Sequence, residues 1–138
     1  MSQVLRRSRL AAGVLVLAIT LVACGGNDDD AGGNSIQARA AEFSFEPTSW
    51  TVNAGEEFSI EFTNGGSIEH EWAVIDLGED IESEDEFAED KVLLEVEAVP
   101  ASESATESFT IAEAGTYQVI CAVPSHFNAG MEGSLTVS

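Results

Sequence analysis

One stretch of the chain concentrates soft donor atoms. Cys121-Ala-Val-Pro-Ser-His126-Phe-Asn-Ala-Gly-Met131 places a thiol, an imidazole and a thioether within eleven residues, with four residues between each consecutive pair. A second imidazole, His70, lies about fifty residues upstream, and these are the sequence's 2 histidines. A thiolate, a thioether and two imidazoles make a donor set suited to copper. Two His and one Cys in a trigonal plane, with a weak axial Met, is the arrangement of blue-copper centres. Zinc more usually takes a second Cys or keeps an open water position, and iron–sulfur clusters need more than the 2 cysteines present. Taken singly, Cys121 could be a buried structural thiol, His126 a surface residue and Met131 core filler. Together and in ligand order they read as one metal site.

For these donors to meet, distant stretches must fold onto one another. After Ser35 the chain reads as short strands. Phe43 and Phe45 alternate with Ser44, Trp50 and Val52 follow Pro47, and Phe58, Ile60 and Phe62 alternate with Ser59, Glu61 and Thr63. Period two with one apolar face marks a half-buried strand. Asn53-Ala54-Gly55 and Asn64-Gly65-Gly66 punctuate it as turns. Trp72 and Val74 resume the pattern after His70. Val92, Leu94 and Val96 form another run, Phe109 and Ile111 follow, and Leu135 and Val137 close the chain. About eight strands and no long helical period predict an all-β, antiparallel sandwich with Trp50 and Trp72 in its core. Cys121 shares parity with Tyr117 and Val119, and His70 with Trp72 and Val74, so both donors are expected to face inward. The loop from Ala122 to Gly130 would then return His126 and Met131 to the same place, with Pro124 and Gly130 suited to its tight geometry.

At this point the sequence resembles a known family. Gly115-Thr-Tyr-Gln-Val-Ile-Cys121-Ala-Val-Pro-Ser-His126-Phe-Asn-Ala-Gly-Met131-Glu-Gly-Ser-Leu-Thr-Val looks like the C-terminal signature of the cupredoxins, the plastocyanin, azurin, auracyanin, halocyanin and sulfocyanin group. Asn53-Ala-Gly-Glu-Glu-Phe-Ser-Ile-Glu-Phe-Thr-Asn64 and His70-Glu-Trp-Ala-Val resemble its first sheet and first ligand loop. The likeness runs over roughly 40–138. It implies a Greek-key sandwich holding one type 1 copper on His70, Cys121, His126 and Met131, with His126 as the electron portal. The ligand loop is nearer the auracyanin and sulfocyanin type than plastocyanin, whose Cys-to-His gap is shorter. Many members carry Asn after the first His to tie the ligand loops together. Glu71 stands there here, so that role does not carry over. Pro124 and Phe127 flank His126 and are candidates for an apolar docking surface around it, or for simple loop packing.

The first residues read as an export signal. Arg6, Arg7 and Arg9 precede an apolar run from Leu10 to Val22, too short for a comfortable bilayer span. Leu21-Val22-Ala23-Cys24 resembles a lipoprotein lipobox, which would make Cys24 the lipidated residue. The Arg6-Arg7 pair hints at twin-arginine export, without the rest of that motif. The expected organisation is a signal peptide at 1–23, a Gly/Asp/Asn-rich tether at 24–35 and one domain at 36–138. Export leaves Cys121 without a disulfide partner if Cys24 carries lipid, and a metal would occupy the thiol.

Charge narrows the partners further. All 25 acids follow Cys24, where only Arg39 and Lys91 are basic, and nine acids crowd into Asp76–Asp90. Nucleic acid and anionic membrane surfaces are excluded as charge-driven partners. The spread of acids favours a solubility role. The 76–90 segment, a short helix or a loop, is read first as solvated surface and second as a docking patch. With both histidines committed to metal, no Ser/His/Asp set, paired acid or phosphate loop remains, and no catalytic residues are assigned. The expectation is therefore a monomeric, non-enzymatic blue-copper electron carrier, lipid-anchored outside the cytoplasm and serving redox protein partners. The alternatives are a copper carrier or store without redox traffic, and a donor subunit dedicated to an oxidase or reductase.

Overall fold

The computed structural model describes Ser35–Ser138. The expected signal peptide, Cys24 and nearly all of the tether lie outside the described residues. Nine strands follow in order: β1 (Ser35–Ala41), β2 (Ser44–Glu46), β3 (Ser49–Val52), β4 (Glu57–Asn64), β5 (His70–Ile75), β6 (Val92–Val99), β7 (Ser104–Thr110), β8 (Gly115–Ile120) and β9 (Glu132–Val137). They form two sheets, one ordered β2-β1-β4-β7 and the other β3-β9-β8-β5-β6.

The predicted sandwich is present, with two departures in detail. Its pairings are mostly antiparallel, but β1 runs parallel to β4 and β3 parallel to β9. The extra strand is β1, in which Ser35 already pairs with Ser59. Its inward residues, Ala38 and Ala40, are small and give a faint apolar signal.

Alternation built the core as period two requires. In β4 the side chains of Phe58, Ile60, Phe62 and Asn64 are buried and their neighbours are not. Phe45 from one sheet meets Trp50 from the other edge-on, with ring centroids 6.0 Å apart, and Trp50 in turn meets Trp72 at 5.5 Å. Burying each such ring contributes about 2–3 kcal/mol. Phe43 departs from the predicted alternation. It sits in the β1–β2 turn with φ 59°, and 43 % of its surface is exposed.

Strand β5 is buried on both faces, which its unbroken Trp72-Ala73-Val74-Ile75 run encodes. Trp72 and Val74 face the sandwich interior. Ala73 and Ile75 join Ile120 and Ile81 in a second cluster, with Phe87, Val92 and Phe127 packed against it. The acidic 76–90 segment therefore lies over the outer face of the larger sheet. It contains two single 3-10 turns, Glu84–Glu86 and Glu89–Lys91, and Ile81 anchors it.

Candidate metal centre

Cys121 follows the last residue of β8 and is fully buried, as its parity with Tyr117 and Val119 predicts. His70 opens β5 and is also fully buried, while His126 keeps 5 % of its surface. Cys121 Sγ lies 3.3 Å from His126 Nδ1 and 3.9 Å from His70 Nδ1. The three donor atoms fall within 4.8 Å of one another, and the imidazole centroids are 4.9 Å apart. Met131 is wholly buried in the same core cluster as Cys121.

Local hydrogen bonds explain why the ligand loop holds this shape. Cys121 N donates to Met131 O, and Met131 N donates to His126 O, so the loop closes on its own ligands. His126 N donates to Val123 O, and Gly130 N to Phe127 O. Gly130 has φ 98°, a conformation suited to glycine.

The first ligand is held by residues that sequence reasoning treated as mere turns. Asn64 Nδ2 donates to Ile68 O at 2.7 Å and to Val99 O at 2.8 Å, and its Oδ1 accepts from Gly66 N at 2.9 Å. A signal for this existed: Asn64 shares the inward parity of Phe58, Ile60 and Phe62, and a polar residue on a core face must be satisfied. Gly66 runs against the His70 ring. A Cβ there would stand 2.9 Å from His70 Nε2 and 3.0 Å from Glu42 Oε1, so close approach requires glycine. Glu42 secures the same turn by accepting hydrogen bonds from the N–H and Oγ–H of Ser67. Those bonds hold its carboxyl down at about 2.

The two ligand-bearing segments are tied by main chain. Glu71 N donates to Cys121 Sγ at 3.3 Å, so the link needs no Asn side chain at that position. The Glu71 carboxyl is pushed up by burial and then by Glu95, Glu89, Glu69 and Glu97. Burial pushes the Cys121 thiol up, while the amides of Glu71 and Val123 pull the other way. Burial and then neighbouring His126 push His70 down. Burial thus favours a neutral imidazole, ready to ligate as it stands, and a thiol that a soft cation ligates by displacing its proton. The donor set therefore fits copper, and thiolate and imidazole together suit both of its common oxidation states.

The surface over His126 differs from the one expected. Phe43 meets the His126 ring edge-on at 5.2 Å. Exposed Ile68 and the residues Val123, Pro100 and Ala101 border a shallow hollow that His126 floors. Pro124 is exposed in the ligand loop, whereas Phe127 is half-buried and turned to the second cluster under the acidic segment. Phe43 carried no usable signal, because its alternation with Phe45 placed it in the core.

Comparison with known proteins agrees with this geometry. The sequence profile of the copper binding proteins of the plastocyanin/azurin family matches residues 33–138. Auracyanin-A of Chloroflexus aurantiacus is 27% identical over 158 residues, covering 96% of this chain and 97% of that protein. The copper-resistant cuproprotein CopI of Rubrivivax gelatinosus is 30% identical over 100 residues, covering 67% of this chain and 59% of that protein. The solved structure of auracyanin A, a blue copper protein, superposes with TM-score 0.65 at 28% identity, over 78% of this chain and 100% of that one.

Proposed function

The chain belongs to the plastocyanin/azurin family of copper-binding proteins, and from that premise we propose a lipid-anchored carrier of single electrons outside the cytoplasm. The observation that carries this reading is the convergence of Cys121 Sγ with the Nδ1 atoms of His70 and His126 in a buried pocket. His70, Cys121 and His126 would hold one type 1 copper, with Met131 as the fourth, weaker donor. When bound, copper supplies a one-electron couple through a thiolate ligand.

The rest of the chain serves that couple. Four protein donors leave no open position for a substrate, which supports transfer over catalysis. The loop closure through Met131 and the Asn64 bonds hold the imidazoles and thiol in one arrangement, which keeps reorganisation small. His126 is the ligand nearest the surface, and partners would dock on the apolar residues around it, Phe43, Ile68 and Pro124. Anchoring rests on the lipobox at Cys24 and the apolar run before it.

The test is optical and electrochemical. The copper-loaded protein should show an intense visible band from thiolate-to-Cu(II) charge transfer. Cys121→Ser should abolish the band and leave the fold, and Met131→Leu should keep it while raising the reduction potential. A Cys121→Ser protein that stays coloured would refute the centre. For the anchor, the mature protein should partition into detergent and Cys24→Ala should release or misprocess it.

A second reading has one observation behind it: the likeness to CopI, whose name assigns it to copper resistance. Under that reading the chain sequesters copper. Rapid reduction and reoxidation with no loss of metal to a chelator would favour the electron carrier.

A further inference from the structure

The acidic segment hydrogen-bonds to the ligand loop through Glu84, and those bonds bracket His126. Glu84 Oε1 accepts a hydrogen bond from Ser125 N, immediately before the ligand. Glu84 Oε2 accepts from Asn128 Nδ2 at 2.9 Å, two residues after it, and Glu84 N donates to Asn128 Oδ1 at 3.2 Å. Ser125 has φ 73°, a left-handed conformation that a serine adopts at a cost. Its amide is thereby turned out of the loop and onto the carboxylate. Bonds to an ionised carboxylate are about twice as strong as neutral ones.

The segment that presents Glu84 is itself fastened. Ile81 is buried in the second cluster, its N–H donates to Gln118 Oε1 at 2.9 Å, and its carbonyl accepts from Gln118 Nε2 at 2.9 Å. Gln118 belongs to β8, the strand that leads into Cys121. Phe127, the residue after the ligand, packs under the same segment. Among the nine acids of this stretch, Glu84 alone is engaged by both its oxygens and its amide with the ligand loop.

We propose that Glu84 is a positioning residue for the metal centre, bracing the stretch Ser125–Asn128 so that His126 is held in place with or without metal. The acidic excursion is then a structural arm of the site as well as a charged surface. This rests on the copper reading for its consequences, but the brace itself is a property of the protein without copper.

The test compares Glu84→Ala, Glu84→Gln and the charge control Asp85→Asn in the full chain in detergent. Amide hydrogen exchange on the copper-free protein reads the brace directly. Glu84→Ala should speed exchange at Ser125, His126 and Ala129 about tenfold, the scale of one lost hydrogen bond. Glu84→Gln keeps the acceptor for Ser125 N but sets an NH2 against Asn128 Nδ2, and flipping Asn128 would forfeit its bond from the residue-84 amide, so exchange there should rise by an intermediate factor of about threefold. Asp85→Asn should change nothing there. With copper bound, Glu84→Ala should shift the charge-transfer band and the Cu(II) paramagnetic resonance, and Asp85→Asn should not. Wild-type exchange in Glu84→Ala, or equal spectral shifts in Glu84→Ala and Asp85→Asn, would overturn the proposal. If Glu84→Ala does not fold, Glu84→Gln decides: loss of protection confined to residues 125–129 supports the brace, and fully wild-type protection and spectra refute it. If no variant binds copper but Glu84→Ala still loosens the loop, the brace stands and the copper reading fails.

Discussion

The amide of Glu71 stands 3.3 Å from Cys121 Sγ and joins the two ligand-bearing segments through the backbone. Its side chain has no part in that bond and lies among Glu95, Glu89, Glu69 and Glu97. Glu71→Gln should therefore leave the visible band of the copper protein in place. Removing one carboxylate from a cross-strand group of like charges should also stabilise the copper-free protein at neutral pH by about 0.5–1 kcal/mol. Urea denaturation measures the gain, and loss of the band in Glu71→Gln would show that the side chain matters to the centre.

Asn64 is the polar residue on which the His70 side of the site depends. Asn64→Ala leaves the carbonyls of Ile68 and Val99 and the amide of Gly66 without that partner. The expected cost is about 2–4 kcal/mol in the copper-free protein. Copper binding should also weaken, because the Gly66–Ile68 turn over His70 is released. A change under about 0.5 kcal/mol by urea denaturation, the ordinary range for a neutral surface site, would contradict the buried network.

Glu42 gives stability a defined pH dependence. Its folded value of about 2 lies below its ordinary 4.5, chiefly because Ser67 N–H and then Ser67 Oγ–H favour the ionised form. A depressed carboxyl contributes stability that is complete above the unfolded value and is lost as pH falls through the folded one. The window is therefore from 4.5 down to about 2. Wild type should be more stable than Glu42→Gln above the window, and the difference should shrink as pH falls through it. Melting the copper-free proteins across that range makes the comparison, and a difference independent of pH would rule out the Ser67 latch.

Net charge should make stability salt-dependent. The 25 acids against two bases after Cys24 repel one another at low ionic strength. The Debye length shrinks from about 10 Å at 0.1 M to about 3 Å at 1 M. The melting temperature of the copper-free protein should rise over that interval. Docking would be read from electron-transfer rates of a variant with Glu82, Asp85 and Glu86 neutralised. Glu84 must be left alone, since its carboxylate is committed to Ser125 and Asn128. Flat melting together with a collapsed rate would make the segment a docking patch.

Much of the site could be read along the chain because its information is local. Cys121, His126 and Met131 lie in one loop, and their spacing is itself the geometry of the turn that holds them. Strand parity pointed Cys121 and His70 inward, and both are fully buried. The same rule misplaced Phe43, because alternation assumes an extended backbone and Phe43 has φ 59°.

By itself, then, the sequence determined the donor set, the β-sandwich and the inward face of each main strand, all consequences of residue type and a two-residue period. Only the tertiary structure decided which acids serve the site. Glu84 and Ser125 are 41 residues apart, and Glu42 and Ser67 are 25 apart. Along the chain these two carboxylates look like any of the other acids, because nothing in a glutamate's neighbours specifies the distant amide it will meet. The parallel placement of β1 beside β4 was hidden for a related reason. Ala38 and Ala40 bury little area, and their pairing is set by a strand that begins more than fifteen residues later. Such contacts follow from how the two sheets close on each other, and that closure, unlike the alternation within a strand, leaves no periodic mark in the residues that make it.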